Sequence, residues 1–251
     1  LILLTLFTKT LTQKVRDKTS LALALCTTPL FVVFVRATFS FDRYLVLAPG
    51  LIVFSITMMV FSTSTLISRE LRSSSFVRIR MSGHTMLLPA LAISLVQLLE
   101  GVVVVSLTIS VAELAGYDTN RLSKAFPHVL AAIVAMTGIG TAVGSMARNA
   151  TTAVLMSSGI MFLFVLFSGI FFPEPTVRIF SIAERTVSLF DLLPTIHLKK
   201  IIVWAGTGGT RMHDYMYHSI LLVVEASVFY GAGLATFGAA SYSNTEDTYN
   251  E

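Results

Sequence analysis

The sequence predicts an all-α integral membrane protein: six transmembrane helices, an N-terminal interfacial helix and a re-entrant helical hairpin before the last span. Three observations carry the prediction. Of 251 residues, 54% are hydrophobic and only 13% are charged, where soluble domains carry roughly 25% charged side chains; the mean hydropathy is +0.78. The apolar residues gather in blocks that reach the roughly 20 residues a helix needs to cross about 30 Å of hydrocarbon, whereas barrel strands alternate over about 10 residues. The basic residues fall between those blocks. There they set topology and meet lipid headgroups, so the net charge of +4 points to a membrane surface and not to nucleic acid.

Residues 1–251 read as a single transmembrane domain. At its start, over residues 1–18, Leu4, Phe7, Leu11 and Val15 share one helical face and Lys9, Thr12, Gln13 and Arg16 another. The pattern suits a helix lying in the interface, and equally a cytoplasmic extension of the first span. Spans follow at residues 19–35, 45–67, 85–112, 127–146, 151–172 and 217–239. The third is longer than one crossing requires, which predicts tilt or a kink near Gly101. In the fourth, Gly140 and Gly144 form a small-xxx-small face suited to close helix packing. The tail, residues 241–251, is short, polar and acidic and reads as solvated and disordered.

Orientation follows from the loops. With both termini in the cytoplasm, the inner segments hold Lys9, Lys14, Arg16, Lys18, Arg69, Arg72, Arg78, Arg80 and Arg148, and the first two outer loops hold Arg36, Arg43, Arg121 and Lys124. The outer stretch 173–215 adds Arg178, Arg185, Lys199, Lys200 and Arg211 against this bias, and the short loops decide. The expected location is the cell membrane, crossed several times.

Between residues 173 and 209 the apolar side chains are dense but interrupted, and neither half reaches spanning length. Irregular backbone at membrane depth survives only where protein or a wet cavity covers its polar groups. Two short helices that dip into the outer leaflet and return, with Pro194 between them, meet that condition. Arg178, Arg185, Lys199 and Lys200 would then snorkel to the headgroups.

Three motifs carry a resemblance. Ser168-Gly169-Ile170-Phe171-Phe172-Pro173 ends the fifth span, before the broken hydrophobic hairpin. Pro49-Gly50 stands near the start of the second span, and Ile67-Ser68-Arg69-Glu70-Leu71-Arg72 at its inner end. In this order, behind a basic interfacial helix, they resemble the permease subunit of ATP-binding-cassette exporters of the ABC-2 membrane family. The chain departs from the family's pattern in having Ser73, Ser74, Ser75 and then Ser82-Gly83 where members have a Gly and a Pro. It also has Lys199 and Lys200 soon after Pro194, where members place an Arg somewhat later.

The resemblance implies an ATP-driven exporter subunit that pairs with a second permease chain, identical or different, to enclose the pathway. Two copies of a separate ABC ATPase subunit would carry ATP and Mg, with no cofactor in this chain. Residues 68–84 would form the coupling-helix loop, with Glu70, Arg72, Phe76, Arg78 and Arg80 contacting the ATPase; the same loop also reads as a basic anchor with no partner. Phe171, Phe172 and Pro173 would close the outer gate, although an aromatic belt has the same composition. A lipid or an amphipathic drug-like cargo suits release sideways into the bilayer.

One acid stands out as the single deep carboxyl. Glu100 lies within the third span with Gln97 one turn earlier, and an intramembrane carboxyl is expensive unless protonated, paired or wet. Either it lines the substrate pathway with Gln97, or it is hydrogen-bonded to a hydroxyl such as Ser62 or Thr65.

Catalysis by this chain alone is not expected. There is no G-x-x-x-x-G-K-[ST] phosphate loop, no H-E-x-x-H and no cysteine pair, Cys26 being the only cysteine. Ser157-Ser158-Gly159 has Met156 where a G-x-S-G pattern needs its first glycine. His84, His128, His197, His213 and His218 lie at span ends or in loops, so no serine–histidine pair is apparent. A passive six-span channel or a non-transporting membrane subunit is the alternative reading, and only an ATPase partner separates it from an exporter.

Overall fold

The structure, a computed structural model, describes residues 2–73, 76, 79, 86–119, 122–147, 149–168, 178–182, 185–207 and 212–243; for residues 20, 178–182, 185–190, 207, 212 and 242–243 it describes the backbone only. Its helices are α1 (Ile2–Arg16), α2 (Lys18–Thr38), α3 (Phe41–Glu70), α4 (Leu87–Leu114), α5 (Phe126–Met146), α6 (Ala150–Phe167), α7 (Pro194–Thr207) and α8 (Met212–Ser243). Strands β1 (Arg178–Ile182) and β2 (Arg185–Ser188) stand between α6 and α7.

Six of these helices, α2 to α6 and α8, are long and apolar enough to cross a membrane, and the protein is a multi-pass membrane protein. The helices overrun their apolar blocks. With 30 residues, α3 is about 45 Å long, longer than the roughly 30 Å of hydrocarbon, and its last turn carries Arg69 and Glu70. Pro29 and Pro49 sit inside α2 and α3, as spans tolerate when neighbouring groups satisfy the freed carbonyls. Asn149 caps α6, its side chain accepting from the Thr152 amide at 2.7 Å, which ends the tight connection from α5.

The centre of the bundle is α3, α4 and α5; 56 to 67% of their apolar windows is buried, against 17 to 22% for α2, α6 and α8. Glycines set how close α5 comes to its neighbours. A Cβ on Gly140 would lie 2.7 Å from the Thr63 Cβ, and one on Gly144 would lie 2.5 Å from the Ser64 carbonyl oxygen. The small-xxx-small face therefore receives α3. On the other side of α5, Gly138 meets α8, where a Cβ would stand 2.5 Å from the Phe229 carbonyl oxygen, and Gly233 approaches the Gly138 backbone. Among the described residues, contact between α5 and α8 is the most extensive. Gly101 also serves packing: α4 remains helical through it, and a Cβ there would clash with Ile133 of α5 at 2.7 Å.

One expectation needs correction. The segment before the last span is not a pair of short helices. Its second limb is α7, but its first contains β1 and β2, paired antiparallel from Arg178 opposite Ser188 to Ile182 opposite Arg185. Ile179, Ile182, Thr186 and Val187 are β-branched and favour strands, a signal that total hydrophobicity conceals. The N-terminal helix α1 forms with Thr12, Gln13 and Arg16 exposed, and it also turns two other polar residues into the bundle. Thr10 and Lys14 are buried, while Leu4 and Val15 are exposed on the protein's outer surface.

Candidate functional site

Where α1 packs across α3 and α4, polar side chains collect in two tiers. In the upper tier Lys14 is central. Its Nζ lies 3.0 Å from Glu100 Oε2 and donates to Ser62 Oγ at 2.8 Å. Ser62 Oγ in turn lies 3.2 and 3.0 Å from the two Glu100 oxygens and donates to the carboxylate. Three helices thus meet at one buried ion pair whose side chains are only 9% and 4% exposed. Such burial is tolerable because each charge has a counter-charge and a hydroxyl. Removing either charged partner strands the other in low dielectric.

The lower tier lies at the end of α3. Glu70 is buried and takes Lys9 Nζ at 3.4 Å and the Ser73 hydroxyl at 3.4 Å. Arg69 pairs with Asp17, between α1 and α2, at 3.2 Å. One turn from Glu100, Gln97 is fully buried; its Oε1 accepts from Thr63 Oγ1 at 3.3 Å, and its Nε2 has no hydrogen-bond partner. The whole arrangement ties α1 to α3 at two heights and to α4 at one, so a displacement of the α3 end must be carried by α1 or break the tiers.

The structure separates the residues expected to form one contact surface. Arg72 is exposed and its guanidinium lies 3.5 Å from the Ala147 carbonyl oxygen, bridging to the end of α5. Glu70 is occupied by Lys9. Phe76 points inward: it is 3% exposed and packs edge-on against Phe237 of α8, ring centroids 5.6 Å apart at 89°, within a cluster of Leu66, Ile67, Leu71, Met86, Ala90 and Ile93. Arg78 and Arg80 lie outside the described residues, as do Phe171, Phe172 and Pro173. Of the two hydroxyls suggested for Glu100, Ser62 is in reach. Thr65 instead donates to the carbonyls of Phe61 and Ser62.

Sequence reasoning missed Lys14 and Lys9 as partners because both lie on α1, far along the chain from Glu100 and Glu70. The available signal was an intramembrane acid in a chain whose predicted spans hold no lysine or arginine. It also missed Glu225, in the middle of α8, so Glu100 is not the only deep acid. Among the described residues no group of three or more His, Cys, Asp and Glu side chains is placed to hold a metal ion.

No curated protein sequence matches the chain. The family model for the ABC-2 type transporter matches residues 2–184, which takes in α1 to α6, the basic helix across the bundle end and the α3 terminus with its Arg-Glu pair. Over most of its length, therefore, this six-span chain belongs to the ABC-2 type transporter family, as a membrane-spanning permease subunit.

Proposed function

We propose that the chain is the permease of an ATP-driven exporter, working as a pair of permease chains with two copies of a separate ABC ATPase. The observation that carries this reading is the family match across α1 to α6, joined to a bundle end whose helices are locked to one another by charge. The end of the bundle that holds α1 faces the cytoplasm, where Lys9, Lys14, Arg16, Lys18, Arg69 and Arg72 gather. Residues 68–84 meet the ATPase there. Arg72 supplies an exposed contact, Phe76 anchors the segment to α8, and Glu70 passes motion through Lys9 to α1. Arg78 and Arg80 complete the surface in contact with the ATPase.

Glu100 belongs with this transmission. Its charge is neutralised by Lys14, so neither offers a fixed charge to a cargo, and a lipid or amphipathic molecule suits such spans better than a strongly ionic one. Gln97 lines the pathway only when α3 and α4 part, because its side chain is wholly buried. Phe171, Phe172 and Pro173 form the gate toward the outer leaflet. Purification in mild detergent from the native membrane tests the reading: a phosphate-loop ATPase at equal stoichiometry supports it, and an intact preparation without one overturns it in favour of a channel. Crosslinking the gate segments of two permease chains should stop export, and export that continues removes the gate assignment.

A further inference from the structure

At the opposite end of the bundle, α7 and α8 form a helical pair around a second polar cluster. His197 of α7 has a side chain that is 0% exposed. Its Nε2 lies 2.8 Å from the Asp191 carbonyl oxygen, which only accepts, so Nε2 carries a hydrogen. Its Nδ1 lies 2.9 Å from Nδ1 of His218 on α8. One hydrogen must occupy that contact, since two lone pairs or two N–H groups would repel. Glu225, two turns along α8 from His218, brings Oε1 to 3.4 Å from His197 Nε2, while its Oε2 is buried without a hydrogen-bond partner.

The charge balance is informative. With both rings neutral and Glu225 ionised, the three side chains hold one uncompensated negative charge at membrane depth, which is strongly disfavoured. One added proton makes them neutral. The other charged groups near His218 are Lys200, Asp191 and Asp214, of which Lys200 and Asp191 face each other at 3.6 Å. His128 of α5 meets the same helical pair at Tyr215, ring centroids 5.3 Å apart.

We propose that His197, His218 and Glu225 form a proton-binding site between α7 and α8, filled from the outer side through the half-buried ring of His218. A proton from water adds to His218 Nε2. The hydrogen on His218 Nδ1 passes to His197 Nδ1, leaving His218 neutral and His197 an imidazolium whose Nε2–H lies between the Asp191 carbonyl and Glu225 Oε1. The site gains one proton and goes from one negative charge to none, with no electron transferred. Proton loss leaves Glu225 ionised beside a neutral ring, and the α7–α8 pair loosens.

Trp204, the only tryptophan, reports on this pair, because it stacks on Tyr215 across the same two helices with ring centroids 4.1 Å apart. The full chain is placed in phosphatidylcholine nanodiscs with His128→Asn to silence the neighbouring imidazole, and Trp204 emission is followed across the histidine range of pH. The expected result is a one-proton transition, whose proton affinity falls at least about tenfold in Glu225→Gln and which disappears in His218→Gln. A transition indifferent to both variants, or no transition at all, overturns the proposal. Imidazole nitrogen-15 spectra of the protein with His197, His218 and Glu225 unchanged give a second reading that needs no folding of those two variants. One of the two rings must gain a second N–H on acidification; if both stay neutral throughout, the site does not exist.

Discussion

The two ends of the bundle use buried charge in opposite ways. At the α1 end, Lys14 and Glu100 face each other at 3.0 Å with Ser62 on both, and lysine and carboxylate ordinarily stay charged across the histidine range. At the α7 end the positive partner is a pair of imidazoles, whose charge is conditional. The first arrangement is a strut: it joins three helices through a lysine, a carboxylate and a hydroxyl. The second is a joint whose strength depends on a proton.

Replacing Lys14 with Met should break the strut most severely. Glu100 is then buried without its counter-charge, and resistance to SDS unfolding in mixed micelles should fall by about 3–5 kcal/mol. If the strut is a matched pair, the double variant Lys14→Met with Glu100→Leu should recover most of that loss. Glu70→Gln should have a smaller effect, about 1.5–3 kcal/mol, with the low end favoured because Lys9 is 37% exposed and keeps its water. Thr63→Val removes one buried hydrogen bond to Gln97 and should lower stability by about 0.6 kcal/mol in a bilayer. Smallest of all, Arg69→Ala at the 59% exposed partner of Asp17 should change it by about 0–1 kcal/mol, a difference that disappears in high salt. Salt sensitivity in the Lys14 pair as well would erase the distinction between a buried strut and a surface contact.

Much of the fold is legible because apolar length is a strong signal. The predicted 45–67 and 217–239 lie inside Phe41–Glu70 and Met212–Ser243; the ends were short because helices continue into polar residues once their backbone ladder is formed. The Gly140 and Gly144 spacing foretold a close helix contact, but a repeat of small residues does not name the partner, which is α3. The strands were hidden inside a segment judged by hydrophobicity alone. For the site, Glu100 was conspicuous as an acid among leucines and valines. Its partner was not, since Lys14 lies on α1, far along the chain from Glu100, and counts in the sequence only as one of the basic residues that set topology. Phe76 reads as a contact residue in a basic loop, yet its ring is worth more against Phe237 than in water.

The glycine seam between α5 and α8 bears on how the protein is made. Gly138 and Gly233 bring two backbones together, and α8 leaves the ribosome well after α5. Until it arrives, α5 carries an open furrow and Phe76 lacks the ring of Phe237 that covers it, so the helices made before α8 wait with a face unfilled. A nascent chain with that furrow still open exposes a mark that cellular quality control can read.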